Sequence, residues 1–177
     1  CSQLTEIIGW EKILLNSRGY KGANQKQLMH LFEEEKSVLN KQQNTNEFWI
    51  KAARLGAMNR QQGVARTAKM MKEADSIIKS AGLLRSEKNA LSWHARYAYL
   101  VAHTNYQFFT RDNVTAKFKY NKKIFDLMQS NQNLALEGVF RYIGALNDYC
   151  ISLTEIKKYE EALDVIRLQR EIPTTSF

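Results

Sequence analysis

The stretch IGALNDYCISLTEIKKYEEALDVIRLQREIP, residues 143–173, carries the clearest structural signal in this chain. Large apolar residues recur in it at steps of three and four, which is the spacing along one face of an α-helix. A small residue stands in each half, Cys150 in the first and Ala162 in the second, as expected where two antiparallel helices cross closely. The pattern predicts a helical hairpin with these core residues: Leu146, Tyr149, Cys150, Leu153, Tyr159, Ala162, Leu163 and Ile166.

This hairpin resembles a tetratricopeptide repeat, with Tyr159 and Ala162 opening the second helix and Pro173 closing the unit. Residues 14–39, with the turn Arg-Gly-Tyr-Lys-Gly and the helix Leu-Phe-Glu-Glu-Glu-Lys, also resemble the leading hairpins of uncharacterised bacterial tetratricopeptide-like proteins. The resemblance implies a right-handed superhelix whose first helices line a concave face, within a parent protein that continues past Phe177. It implies no reaction.

Amphipathic helical segments fill the rest of the chain, and strand patterns are absent. We therefore predict an all-α fold, a single domain over 1–177 made of about four antiparallel hairpins. The predicted hairpins span these ranges: 2–43, 46–82, 86–130 and 134–172.

The predicted breaks rest on glycines, polar runs and capping residues. Residues 18–23 contain two glycines and predict a turn, while the polar run 41–46 is expected to end the second helix. Gln62-Gly63 is expected to separate the third helix from the fourth. Asn24 with Gln27 resembles a capping box, Ser86 is expected to cap the fifth helix, and Asp112 or Asn113 the sixth.

The composition is typical of a soluble helical domain, with 44% hydrophobic and 25% charged residues and a single proline. Cys150 falls on a predicted core face, so we expect reduced thiols and a cytoplasmic location. A chain that opens Cys-Ser also matches a processed bacterial lipoprotein, so lipid anchoring at Cys1 stays open as a minor alternative. No apolar stretch reaches the eighteen or so residues of a membrane span.

Motifs for chemistry are missing from the sequence. The three histidines, His30, His94 and His103, belong to no metal-ligand pattern, and no Gly-rich phosphate loop occurs. Cys150 stands at a small-residue packing position, where a cysteine is usually a small hydrophobe rather than a nucleophile. We expect no enzyme activity, no metal and no cofactor.

The net charge of +8 comes from the middle of the chain, where basic residues lie on or beside the predicted fourth helix and crowd the sixth. They are Arg60, Arg66, Lys69, Lys72, Lys79, Lys117, Lys119, Lys122 and Lys123. A solvated convex face explains most such lysines, but a basic face also fits nucleic-acid binding.

The fifth helix offers the sharpest candidate site. Arg96, Tyr99, His103 and Tyr106 recur at steps of three and four opposite its apolar stripe, and Tyr and Arg are enriched at protein interfaces. Either this row lines a groove or it packs against the next hairpin. Together with residues on neighbouring first helices, the predicted partner-binding set is Arg54, Arg60, Arg96, Tyr99, His103, Tyr106 and Asn147.

Three functions remain open at this point. The first is a non-catalytic interaction scaffold that holds a peptide, acidic or carboxylate-bearing, or another domain of its parent chain, in a concave groove. The alternative is a basic helical-repeat protein that binds nucleic acid. The third is a structural spacer.

Overall fold

The computed structural model describes residues 2–17, 25–79, 82–110 and 113–172. Within those ranges the chain consists of helices and short connections, without a strand, so the all-α prediction is confirmed. The α-helices there are α1 (Ser2–Ser17), α2 (Gln25–Gln62), α3 (Ala68–Lys79), α4 (Trp93–Thr110), α5 (Val114–Ser130), α6 (Gln132–Leu136), α7 (Val139–Glu155) and α8 (Tyr159–Arg170). None of these helices is long and apolar enough to cross a membrane.

Helix α2 runs unbroken for 38 residues where the sequence predicted two helices. The break expected at 41–46, and with it the boundary between the first two predicted hairpins, is wrong. Residues 41–46 contain no Pro or Gly, and two of their polar side chains form hydrogen bonds with the segment that leads into α4. Asn44 accepts a hydrogen bond from the Leu91 backbone N–H at 2.9 Å, and the Thr45 and Ser92 hydroxyls lie 2.9 Å apart.

Two other helix starts differ from their predicted places. Helix α3 begins at Ala68, although Gly63 does end α2 as predicted, in the left-handed conformation with φ 67°. Ser86 caps a short 3₁₀ turn (Glu87–Asn89) instead of α4, accepting a hydrogen bond from the Lys88 N–H. The Ser92 hydroxyl accepts from the Ala95 N–H at 3.0 Å, so α4 begins later than predicted.

Helix α5 begins as the sequence predicts. The Asn113 side chain accepts a hydrogen bond from the Ala116 N–H at 3.0 Å, which confirms it as the N-cap. The predicted turn at 18–23, the cap at Asn24 and the alternative cap at Asp112 lie outside the described residues, as do Cys1 and Pro173.

The hairpin of α7 and α8 closely follows its predicted core. Leu146, Tyr149, Leu153 and Ala162 are buried, and the Cys150 Sγ lies 3.8 Å from the Ala162 carbonyl oxygen, so the predicted close crossing is confirmed. Two residues of the predicted hairpin core, however, lie outside the core. Tyr159 and Leu163 are exposed, because α8 turns the face that carries Val165 towards α7 instead.

Helix α4 lies at the centre of the fold, where α2, α3 and α5 pack around it. Small residues allow this close packing: Ala95, Ala98 and Ala102 are completely buried. Because α4 is covered on several sides, its buried residues do not form the single stripe of a surface helix.

Candidate functional site: a groove between α4 and α7

An open groove of about 300 Å³ lies between α4 and α7, bordered by the second half of α2 and by α5. We call it the α4–α7 groove. Its lining residues are Gly56, Asn59 and Arg60 of α2, Thr104, Asn105 and Phe108 of α4, Lys117 and Asn121 of α5, and Asp148 and Ile151 of α7.

The second half of α2 and α4 run in the same direction along the groove. The rings of Trp49 on α2 and Tyr97 on α4 lie 5.7 Å apart. Further along both helices, the Asn59 amide bonds to Asn105. Helix α7 runs in the same direction. Arg141, near its start, stacks on Trp49 at 5.8 Å and on Tyr97 at 5.6 Å, and Ile151, later in α7, lines the groove together with Phe108.

Asparagine amides join α2 to α4 in the wall of the groove. The Asn59 amide donates to the Asn105 backbone carbonyl at 3.1 Å, and the Asn105 amide donates to the Ala52 carbonyl at 3.2 Å. Gly56 makes room for this contact, since a Cβ there would lie 3.2 Å from the Asn105 side-chain nitrogen. Asn59 Oδ1 is buried and keeps its accepting capacity free of any partner among the described residues.

A second polar cluster joins α4, α5 and α7 at the floor. Asn121 is 1% exposed, accepts a hydrogen bond from the Thr104 hydroxyl at 3.1 Å and donates to the Ser152 hydroxyl at 2.7 Å. It also donates to the Asp148 backbone carbonyl at 3.1 Å. Buried, fully paired polar groups of this kind fix the relative positions of the helices that carry them.

Apolar and charged side chains remain open above this floor. Phe108 and Ile151 are 46% and 51% exposed, and Arg60 is exposed at the rim. Lys117 is held in place, with its Nζ 2.8 Å from a Glu155 carboxylate oxygen and 5.7 Å from the centre of the Phe108 ring. The groove thus offers apolar surface and basic side chains side by side.

Asp148 gives the groove one acidic position. Desolvation by the surrounding protein raises the pKa of its carboxyl, although the residue is exposed, and the positive charge of Lys117 opposes that shift. The groove continues past Phe108 into a second hollow of about 310 Å³, which Gln107, Val114 and Glu155 also line.

The structure places the predicted row on α4 away from this groove. Tyr99 and His103 are 7% and 8% exposed, so for these two residues the groove alternative is wrong and they pack inside the fold. The His103 Nε2 lies 3.0 Å from the Leu84 carbonyl oxygen, and its ring stacks on Tyr120. The reason is that two 3₁₀ turns, Leu83–Arg85 and Glu87–Asn89, and α5 cover this side of α4.

The other two members of the row contact neighbouring elements. Arg96 is exposed and pairs with Glu87 of the 3₁₀ turn, while the Tyr106 hydroxyl donates to Asp75 of α3 at 2.6 Å. Both side chains therefore secure the back of α4 instead of facing the groove.

Of the remaining predicted residues, Arg60 lines the groove, whereas Arg54 and Asn147 are exposed on α2 and α7 without lining it. Asn59, Asn105 and Asn121 also line the groove, but they were not among the predicted site residues. The sequence contains a signal for them, because asparagine is unfavourable inside a helix and its presence there often indicates a specific hydrogen bond.

Comparison of the chain with protein-family models, with curated proteins and with solved structures found no match.

Proposed function

We propose that this chain is a non-catalytic interaction scaffold that binds an extended, carboxylate-bearing peptide segment in the α4–α7 groove. The observation that carries the proposal is the combination of exposed Phe108 and Ile151 with Arg60 above a rigid polar floor. We further propose a tetratricopeptide-like right-handed superhelix of hairpins. The common direction of α2, α4 and α7 supports this arrangement, since first helices line the inner face of such arrays.

Each group in the groove has a role that suits a peptide. The exposed side chains of Phe108 and Ile151 suit apolar side chains of a ligand. The guanidinium of Arg60 suits a carboxylate, because it offers two parallel donors. Asp148 repels a second ligand carboxylate and so directs the ligand's negative charge towards Arg60.

Ion pairing disfavours the nucleic-acid alternative. Several lysines of the basic surface are already paired with carboxylates at 2.7 to 2.8 Å, which lowers the charge available to phosphates. These pairs are Lys79–Asp75, Lys117–Glu155, Lys122–Asp126 and Lys123–Glu87.

A displayed library of random peptides with free carboxyl termini tests the proposal. Selected peptides, made with a fluorescent label, should lose at least about tenfold in affinity on Arg60→Ala or Ile151→Glu, a change of about 1.4 kcal/mol. Arg167→Ala is the control, because Arg167 is also exposed and lies on α8, outside the lining of the groove. Labelled oligo(dT) serves as the competing probe. If no peptide is selected and oligo(dT) binds tightly, with a binding constant that falls log-linearly with salt concentration, the nucleic-acid hypothesis is supported instead.

A further inference from the structure

Helix α1 is apolar on two faces, of which one packs against α2. Ile8 is 4% exposed and lies on the inner face, together with half-buried Thr5, Lys12 and Leu15 at helical steps of three and four. Helices α1 and α2 are in contact, and the Lys12 Nζ of this face lies 2.6 Å from a Glu35 carboxylate oxygen and 4.7 Å from the centre of the Phe32 ring.

The second face of α1 is apolar and open; we call it the outer α1 face. Its residues and their exposed fractions are Leu4 48%, Ile7 54%, Trp10 60%, Ile13 56% and Leu14 54%. A surface helix usually carries polar residues on its outer side. The exposed side of α1 instead carries these five large apolar residues, with Glu6 and Glu11 also exposed, so it suits a second packing partner.

The apolar surface extends sideways into a hollow between α1 and α2. This hollow measures about 590 Å³ and has Leu14, Leu15 and Leu31 among its lining residues, with Glu11 and Lys26 also present. If each half-exposed apolar residue offers about 100 Å², the outer α1 face presents on the order of 500 Å². That is as large as the largest apolar patch of a typical monomer, and such patches usually mark interaction sites.

We propose that a second copy of this chain covers the outer α1 face, so that two α1 helices pack against each other about a two-fold axis. Two faces of this size would together bury about 1,000 Å², which reaches the lower end of specific protein interfaces. A symmetric contact of this kind uses the same patch on both copies.

The charges of this region permit self-association. Although the whole chain carries +8, residues 1–45 hold six basic and five acidic residues, so two such regions meet with little net repulsion. Glu11 and Lys26 supply both signs of charge beside the apolar surface.

A membrane surface fits the outer α1 face less well than a second copy does. Helices that lie on membranes carry Lys and Arg on their polar side, where anionic lipids attract them. Helix α1 carries Glu6 and Glu11, and its single basic residue, Lys12, pairs with Glu35 at 2.6 Å. Its charges therefore do not draw it to lipid.

Sedimentation equilibrium of the chain tests this proposal. We expect a monomer–dimer equilibrium with a dissociation constant in the micromolar range, as suits a small interface. Trp10→Glu and Ile13→Glu should each raise that constant at least about tenfold. The circular dichroism spectrum and the melting temperature of the diluted monomer should stay unchanged, because both side chains are exposed.

Phe140→Glu is the matched control, since Phe140 is 77% exposed but lies on α7. A wild-type chain that stays monomeric up to about 100 µM, or variants that behave like this control, would overturn the proposal. Flotation with vesicles of phosphatidylcholine and phosphatidylserine is the second arm. A monomeric chain that floats with these vesicles, and loses this on Trp10→Glu, would assign the face to a membrane instead.

Discussion

Replacing Asn121 by Ala removes the polar connection between α4, α5 and α7 at the floor of the α4–α7 groove. Asn121 is 1% exposed and makes three hydrogen bonds, to the Thr104 hydroxyl, the Ser152 hydroxyl and the Asp148 carbonyl. A typical intramolecular hydrogen bond contributes about 1 kcal/mol, so the loss of three predicts a cost of about 3 kcal/mol. Ser152 keeps its own bond to the Asp148 carbonyl at 2.9 Å, so the cost should not greatly exceed this figure.

Urea unfolding followed by circular dichroism measures this cost. In a chain of this size, about 3 kcal/mol corresponds to a fall of about 6 to 12 °C in the melting temperature. Asn147→Ala on α7 is the matched control, because Asn147 is exposed and its loss should cost less than about 0.5 kcal/mol. An Asn121→Ala variant within about 1 kcal/mol of wild type would refute the view that this network holds the groove together.

Two further predictions concern the core. Ala162→Phe should destabilise the chain by about 1 to 3 kcal/mol in urea unfolding, because Ala162 is 3% exposed at the crossing of α7 and α8 and a larger side chain strains it; an unchanged midpoint would place the crossing elsewhere. Burial lowers the pKa of His103 below its usual 6.5, so the unfolded chain takes up a proton first and stability should fall as the pH drops below about 6.5. His103→Gln should reduce that slope, measured as urea midpoint against pH, with a remainder from His94, whose pKa burial also lowers; an unaltered slope would contradict the assignment.

Local signals predicted the parts of this fold that depend on local geometry. The α7–α8 hairpin follows from spacing within one short stretch, and its Cys150–Ala162 contact lies where the small residues indicated. Gly63 ends α2 and Asn113 caps α5, since a left-handed backbone and an N-terminal cap each depend on a few neighbouring residues.

The features that the sequence patterns did not predict depend on contacts between helices. Helix α4 is covered on several sides, so Tyr99 and His103 are buried although they lie opposite its apparent apolar stripe. The polar side chains of Asn44 and Asn121 find partners on other helices, and no pattern within one helix reveals a partner that is distant in the sequence. Several residues that line the groove are of this kind, which is why Arg60 is the only member of the predicted partner-binding set among them.

The most direct test of the proposed scaffold function is a crystal structure of the chain with a library-selected peptide. We expect the peptide to lie extended between α4 and α7, with apolar side chains on Phe108 and Ile151 and a carboxylate at Arg60. A peptide bound instead on α8 or on the outer side of α5, with the groove empty, would contradict the account.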